Sequence, residues 1–390
     1  MDIISLASGA GLFDYQLRKA GMTIRLQCEC SSPQIEILKR VFPEAQLDYN
    51  IFELTKEKLT NEYGINNFAD CSIIGGLCCT PFSMVGPAKG SESETWMCDE
   101  ILRLIDECRP RFILSENVYH FKDHTDGLPY LIPRMKKLGY YGHSLSIPAS
   151  AFAAPHERQR IFCLFSRDGI KSTNNLTEHF EKIIASIKMK PFITNLYNGK
   201  YTQNPGMDSV IERNPSKMKI SQLRIYGNAV EAQTGLFIGK VVRAIDHYFY
   251  ETDEGRNLIE AEGATEDNNL AIPFLRLSKP LLEVKMDKQL KSRHKWAKEE
   301  VLQCGHVVLQ LKRSRSSKDS ESKEESWWQT PLAADGEIGV AHLNEALKKV
   351  FPQSDIEAIC RNPDLAAWLM GVEPELENII KEETEKYAAK

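Results

Sequence analysis

Short runs of apolar, β-branched residues alternate along the first part of the chain with segments whose apolar positions recur every three or four residues. Residues 3–7 precede a helical pattern over 15–20, and residues 23–28 precede another over 34–41. The alternation continues through residues 72–77, a helical stretch over 97–108, and residues 111–115. Apolar runs this short fit strands buried on both faces, and their alternation with helices predicts βαβ units. The expected class is therefore α/β, with a doubly wound, mostly parallel sheet. Such sheets bind ligands beyond the carboxyl ends of their strands, so the chemistry is to be sought in the residues that follow each strand.

The pattern weakens further on. Residues 168–220 are polar and irregular, with a turn expected at Asn204-Pro205-Gly206. A helical run over 233–250 follows, then an acidic, poorly patterned stretch over 251–269. Residues 312–326, KRSRSSKDSESKEES, are almost all charge and serine and read as a linker. These changes divide the chain into a sheet domain at 1–167, a small region at 168–220, a segment at 221–250 that returns to the sheet domain, and an extension at 251–390.

Composition narrows the classes. With 390 residues, 42% hydrophobic and 26% charged, the chain can bury a substantial core. No apolar run approaches the roughly 20 residues that span a bilayer. The opening MDIISLASG has no positively charged leader and runs straight into the first strand, so a cytoplasmic, intracellular protein is expected. The ten cysteines form no CxxC pair and have no regular spacing, which argues against a zinc ribbon or a disulfide framework, and no metal site is expected. A net charge of −5 neither supports nor excludes a nucleic-acid partner.

Candidate residues follow the strands. Ser8-Gly9-Ala10-Gly11 lies between the first strand and a helix, where glycines let a ligand approach the backbone at a helix N-terminus; a tight turn explains it equally well. Glu29 follows the second strand, placed to accept hydrogen bonds from ribose hydroxyls or to be a solvated strand-end charge. Cys78 and Cys79 end the run 71–79, where a thiol near helix amides can ionise and act as a nucleophile. Cys71, Cys98, Cys108 and Cys163 read as small buried hydrophobes. Glu116 sits in Ser115-Glu116-Asn117-Val118 at a strand end, where a buried carboxylate is costly unless paired or used. Arg158 and Arg160 stand two apart before a strand at 161–165, so in extended chain both would point the same way, toward an anion or a carboxylate.

Taken in order, SGAG, CECS, GGLCCTPFS, SENV, PHERQR and RIYGNAV resemble the ordered blocks of the DNA cytosine-5 methyltransferases. The likeness covers residues 1–245, with Glu116-Asn117-Val118 and Gly227-Asn228-Ala229-Val230 intact. It implies a Rossmann-like, class I S-adenosylmethionine-dependent fold, with residues 1–167 as the cofactor-binding catalytic domain and residues 168–220 as a small target-recognition region. By position relative to Phe82 and Ser83, it makes Cys79 the nucleophile, with Cys78 in the place of the family's proline. Leu77 and Thr80 also depart from the pattern. So do Ala7 before the glycine loop, Leu12 in the place of a further glycine, Asn50 where an aspartate is usual, and His156 where a glutamine is usual.

The resemblance implies methylation of cytosine C5 in double-stranded DNA by attack of Cys79 on C6 of a flipped base. Glu116 would serve the ring nitrogen N3, and Arg158 and Arg160 would orient Glu116. Ser8, Gly9, Gly11, Glu29, Asn50, Ile51 and Asn228 would hold S-adenosylmethionine. A mobile loop is expected over residues 86–94, where Gly, Ser and charged residues follow the nucleophile. The same likeness implies a restriction-modification or phage enzyme, monomeric, nucleoid-associated and accompanied by a cognate restriction endonuclease. Two other readings stay open: the same chemistry on tRNA cytosine, and a degenerate member that binds cofactor or DNA without turnover. Residues 327–331 and 362–371 resemble segments of phage and bacterial members that could add recognition surface; the alternative is that Trp368, Leu369 and Met370 form a buried helix face.

Overall fold

Ile3 and Ile4, Ile73 and Ile74, and Phe112 and Ile113 are neighbours in sequence, and all six are buried. Adjacent strand residues point to opposite faces, so one of each pair enters one hydrophobic core and its neighbour enters a second. Side chains of this size contribute roughly 1.5–3 kcal/mol each on burial, which favours a sheet covered by helices on both sides. The computed structural model describes residues 1–76, 96–124, 126–152, 158–167, 183, 187, 217–250, 275–277, 308–313 and 363–389.

One sheet contains β1 (Asp2–Leu6), β2 (Thr23–Cys28), β3 (Gln46–Asp48), β4 (Cys71–Gly76), β5 (Phe112–Val118), β6 (Tyr141–Ile147), β7 (Arg160–Ser166), β8 (Leu275–Leu277) and β9 (Val308–Arg313). Their order is β3-β2-β1-β4-β5-β7-β6-β9-β8. Strands β1 to β5 pair in parallel, whereas β7 runs antiparallel to both β5 and β6. This is the doubly wound, mostly parallel α/β sheet that the alternating pattern predicts. Its order reverses between β1 and β4, the switch point where such sheets open a crevice.

One face is covered by α1 (Leu12–Lys19) and α2 (Ser32–Val41), which contribute Leu17, Ile37 and Leu38 to its core. The other is covered by α3 (Lys56–Asn61), α4 (Cys98–Cys108) and α5 (Leu128–Lys137), through Leu59, Leu104 and Leu131. Helices α6 (Lys217–Asn228) and α7 (Ala232–Tyr250) join the first face. A side chain at Gly239 of α7 would place its Cβ 2.8 Å from Ala20 Cβ; only glycine lets α7 lie this close to the end of α1.

Residues 363–389, α8 (Pro363–Leu369) and α9 (Pro374–Ala388), belong to that same core through Ala366, Leu369, Met370, Leu376 and Ile380. Arg40 of α2 pairs with Glu382 at 2.7 Å and Glu383 at 2.8 Å, and Gln222 of α6 donates to Thr384 at 2.8 Å. Of the helix face expected around Trp368, Leu369 and Met370 are fully buried.

Two local differences from the sequence pattern have physical causes. Strand β6 escapes the pattern because His143, Ser144 and Ser146 are polar yet buried; burial pushes the His143 imidazole down to about 4. The charged stretch expected to begin a linker at 312 starts inside β9, where Lys312 and Arg313 pair with β8. The nucleophile loop with Cys78 and Cys79, the expected loop at 86–94, most of 168–220 and the remainder of the linker lie outside the described residues. Among the described residues, no helix is long and apolar enough to cross a membrane.

Candidate functional site

The carboxyl ends of β1, β2, β3 and β4 lie side by side, because their registers pair Leu6 with Cys28 and Gly75, and Cys28 with Asp48. After β1 the chain turns through Gly9 at φ 58° and Gly11 at φ 72°, in the left-handed region that glycine tolerates. A Cβ at Gly11 would come within 2.6 Å of Phe42 and 2.7 Å of Leu38, so the turn also needs glycine for space. At Gly9 the same position has nothing within 4 Å, leaving backbone open to a ligand.

Glu29, just past β2, is tied to this turn. Its Oε2 accepts from Gly9 N at 2.8 Å, and its Oε1 accepts from Cys30 N at 3.0 Å and Ser31 N at 2.9 Å. Both lone-pair sites of Oε1 are taken, whereas Oε2 keeps one, so Glu29 can accept one further hydrogen bond from a ribose hydroxyl. An open glycine beside a fixed carboxylate fits the nucleoside part of S-adenosylmethionine. Ser8 is held behind the loop, its Oγ donating to Ser5 O at 3.1 Å. Past β3, Ile51 is buried, whereas Asn50 uses its side chain locally: Oδ1 accepts from Phe52 N at 3.1 Å and Nδ2 donates to Glu53 at 2.8 Å.

On β5, Glu116 is level with Gly76 of β4. Because β7 runs antiparallel, its first residue, Arg160, lies opposite Val118 and diagonal to Glu116 on one face. Arg160 Nε meets Glu116 Oε1 at 3.0 Å, with both side chains largely buried. Arg158 does not continue the extended chain expected of it. Its φ is 27°, and its Nη2 donates to Gly227 O at 2.7 Å and to Ala229 O. The two arginines therefore take different partners: Arg160 meets the carboxylate, and Arg158 holds the backbone on either side of Asn228, whose side chain is exposed.

Buried carboxylates that no motif marked support the site from behind. Asp48 accepts from Asn50 N at 2.9 Å, from Tyr63 at 2.8 Å and meets Lys58 at 2.7 Å. Burial opposes its ionisation, but these partners hold it below the usual carboxylate range. Asp14, in the first turn of α1, accepts from Ser5 Oγ at 2.9 Å and Gln27 Nε2 at 2.7 Å. The only hint in sequence was a Ser inside an apolar strand and an Asp opening a helix.

Burial pushes Asp14 up to about 6, against those two hydrogen bonds. In the unfolded chain an aspartate titrates near 3.9, so the folded state binds more protons between these values. The stability Asp14 contributes is thus fully present below the lower value and lost as pH rises through about 6. Urea unfolding of wild type and Asp14→Asn should show wild type gaining up to about 3 kcal/mol on the variant as pH falls from about 7 to 4. Titration common to both, His143 included, cancels in the difference. A pH-independent gap between the two proteins would refute the assignment.

Cys71, Cys98, Cys108 and Cys163 are buried free thiols, as expected. Burial pushes Cys71 and Cys163 up to about 11 and Cys108 to about 12, so none of these three is poised to attack.

A family model described as C-5 cytosine-specific DNA methylase matches residues 1–299. Among curated proteins, the chain is similar to the type II methyltransferase M.CviJI of Paramecium bursaria Chlorella virus IL3A, 27% identical over 158 residues, covering 40% of this chain and 39% of the relative. It is also similar to M1.HphI of Haemophilus parahaemolyticus, 27% identical over 46% of this chain and 49% of the relative. M.FnuDI of Fusobacterium nucleatum is 25% identical over 53% of this chain and 58% of the relative. The chain thus spans between 39% and 58% of the length of these relatives. Among solved structures, DNMT2 of Spodoptera frugiperda is 22% identical with a TM-score of 0.36, over 44% of this chain and 51% of that one. The methyltransferase EhMeth of Entamoeba histolytica is 16% identical with a TM-score of 0.36, over 44% and 54%.

Proposed function

Since this chain belongs to the C-5 cytosine-specific DNA methylase family, we propose that it methylates cytosine at C5 in double-stranded DNA. The supporting observation is the Glu116–Arg160 pair at 3.0 Å, level with the end of β4, beside the Gly9–Glu29 crevice. Cys79 lies three residues beyond Gly76, the register partner of Glu116. Covalent geometry alone limits the Cα separation of Cys79 and Gly76 to roughly 11 Å. In this reading the nucleophile follows β4 and the acid lies on its neighbour β5, within reach of one pyrimidine ring.

Bound S-adenosylmethionine supplies an electrophilic methyl group. Cytosine C5 is a weak nucleophile, so the chain's own residues must raise its electron density. The Cys79 thiolate adds to C6 while Glu116 gives a proton to N3, converting the ring to an enamine that is nucleophilic at C5. After C5 is methylated, its proton is lost to a base, the C6–S bond breaks, and N3 returns its proton to Glu116. Arg160 orients the Glu116 carboxyl throughout. Arg158 acts at a distance, by holding the Gly227–Ala229 backbone. C5 and C6 are stacked inside duplex DNA, so the base must be flipped out to meet these groups.

Ser8, Gly9, Gly11 and Glu29 form the nucleoside side of the crevice, with Asn50, Ile51 and Asn228 completing it in this reading. A cognate endonuclease, a monomeric state and association with the nucleoid belong to the same proposal. Bisulfite sequencing of DNA from cells expressing the protein tests it: new 5-methylcytosine in a fixed sequence context supports the reading. Unmodified DNA, with methyl transfer to tRNA in a parallel labelled assay, would assign the chemistry to RNA instead.

A further inference from the structure

Helices α6 and α7 are joined by a short turn, Ala229 to Glu231, and Asn228, the last residue of α6, is exposed beside it. Three groups hold the turn. Arg158, which is 3% exposed, donates to the carbonyls of Gly227 and Ala229, at the carbonyl-rich end of α6. The Met370 carbonyl accepts from Ala232 N at 3.0 Å. Glu231, which is 1% exposed, accepts from Gln233 N at 2.8 Å, Thr234 N at 2.8 Å and Thr234 Oγ1 at 2.7 Å, the hydrogen bonds of a side chain capping the start of α7.

Both buried charges face helix ends of suitable sign, the guanidinium at the negative end of α6 and the carboxylate at the positive end of α7. They also feel each other: burial raises the pKa of Glu231, and the Arg158 charge acts to lower it. A buried guanidinium beside two carbonyls is stable only while its charge is balanced. We propose that Glu231 is a positioning residue, which caps α7 and balances Arg158 so that the end of α6 and the turn after it hold Asn228 at the cofactor crevice. This rests on the methyltransferase reading, in which Asn228 contacts S-adenosylmethionine. Glu231 forms part of no sequence block; its role follows from its hydrogen bonds at the start of α7 and the influence of the Arg158 charge on it.

The test compares full-length wild type, Glu231→Ala and Glu231→Asp, since aspartate also caps helices and retains the charge. Calorimetric titration with S-adenosylmethionine should show affinity falling roughly tenfold in Glu231→Ala and largely restored in Glu231→Asp. In steady-state assays, KM for S-adenosylmethionine should rise in parallel, while kcat at saturating cofactor stays within about twofold. General loss of structure would lower kcat as well. If Glu231→Ala fails to fold, Glu231→Asp must still show near-wild-type affinity and KM. Unchanged affinity in a folded Glu231→Ala, or a loss of kcat with KM unaltered, overturns the proposal alone. A wild-type protein that binds no S-adenosylmethionine overturns the methyltransferase reading and this proposal together.

Discussion

Replacing Cys79 with alanine is expected to abolish methyl transfer, whereas replacing the adjacent Cys78 leaves it within a few-fold of wild type. No second route activates C5 once the C6 nucleophile is gone, so the loss should be on the order of 10⁴-fold or more, as when other covalent enzymes lose their nucleophile. The contrast is sharp because the residues are neighbours with the same side chain. Only the register relative to Phe82 and Ser83 distinguishes them. Transfer of labelled methyl from S-adenosylmethionine to DNA measures the loss. Trapping on DNA containing 5-fluorocytosine provides an independent readout, since the fluorine blocks loss from C5 and leaves a covalent adduct. Wild type and Cys78→Ala should form that adduct and Cys79→Ala should not. The reverse pattern would move the nucleophile to Cys78; no adduct in wild type would favour a member that binds without turnover.

Glu116→Gln is the second large effect. The amide is close in size and can still meet N3, but it has no acidic proton to give as negative charge develops there. Loss of a positioned general acid costs about 10²- to 10⁴-fold in kcat. The substitution also leaves the largely buried Arg160 guanidinium, 15% exposed, without the carboxylate it meets at 3.0 Å. Affinity for S-adenosylmethionine should change little, because Glu29 and the glycine turn lie on other strands. Single-turnover rates with cofactor titration separate the two quantities. An unchanged rate with weakened cofactor binding would remove Glu116 from the chemistry.

The parts of the site most legible in sequence are those made of consecutive residues at a strand end. Ser8 to Gly11 and Glu29 could be read as crevice residues because a parallel sheet places the residue after each strand on one edge. Asp14, Asp48 and Glu231 could not be found that way. Each is a common acidic residue whose meaning comes from partners distant in sequence or from a helix end that exists only once the chain has folded. Arg158 and Arg160 show the same limit: spacing suggested a shared direction, yet a φ of 27° at Arg158 turns one of them toward Gly227 and Ala229.

What the sequence determined by itself is the alternation of buried strands and helices, and with it the sheet, its two covered faces and the edge at which sheets of this kind bind ligands. Burial of apolar runs is a local property, so its period can be read directly. Only the tertiary structure decided that β7 runs backwards beside β5, which brings the start of that strand, and Arg160, to the edge where β4 and β5 end. Only it placed residues 363–389 in the core against α2 and α6, and closed the turn after Asn228 with groups from residues 158, 231 and 370. Such pairings depend on strand order and long-range packing, and no window of neighbouring residues carries them.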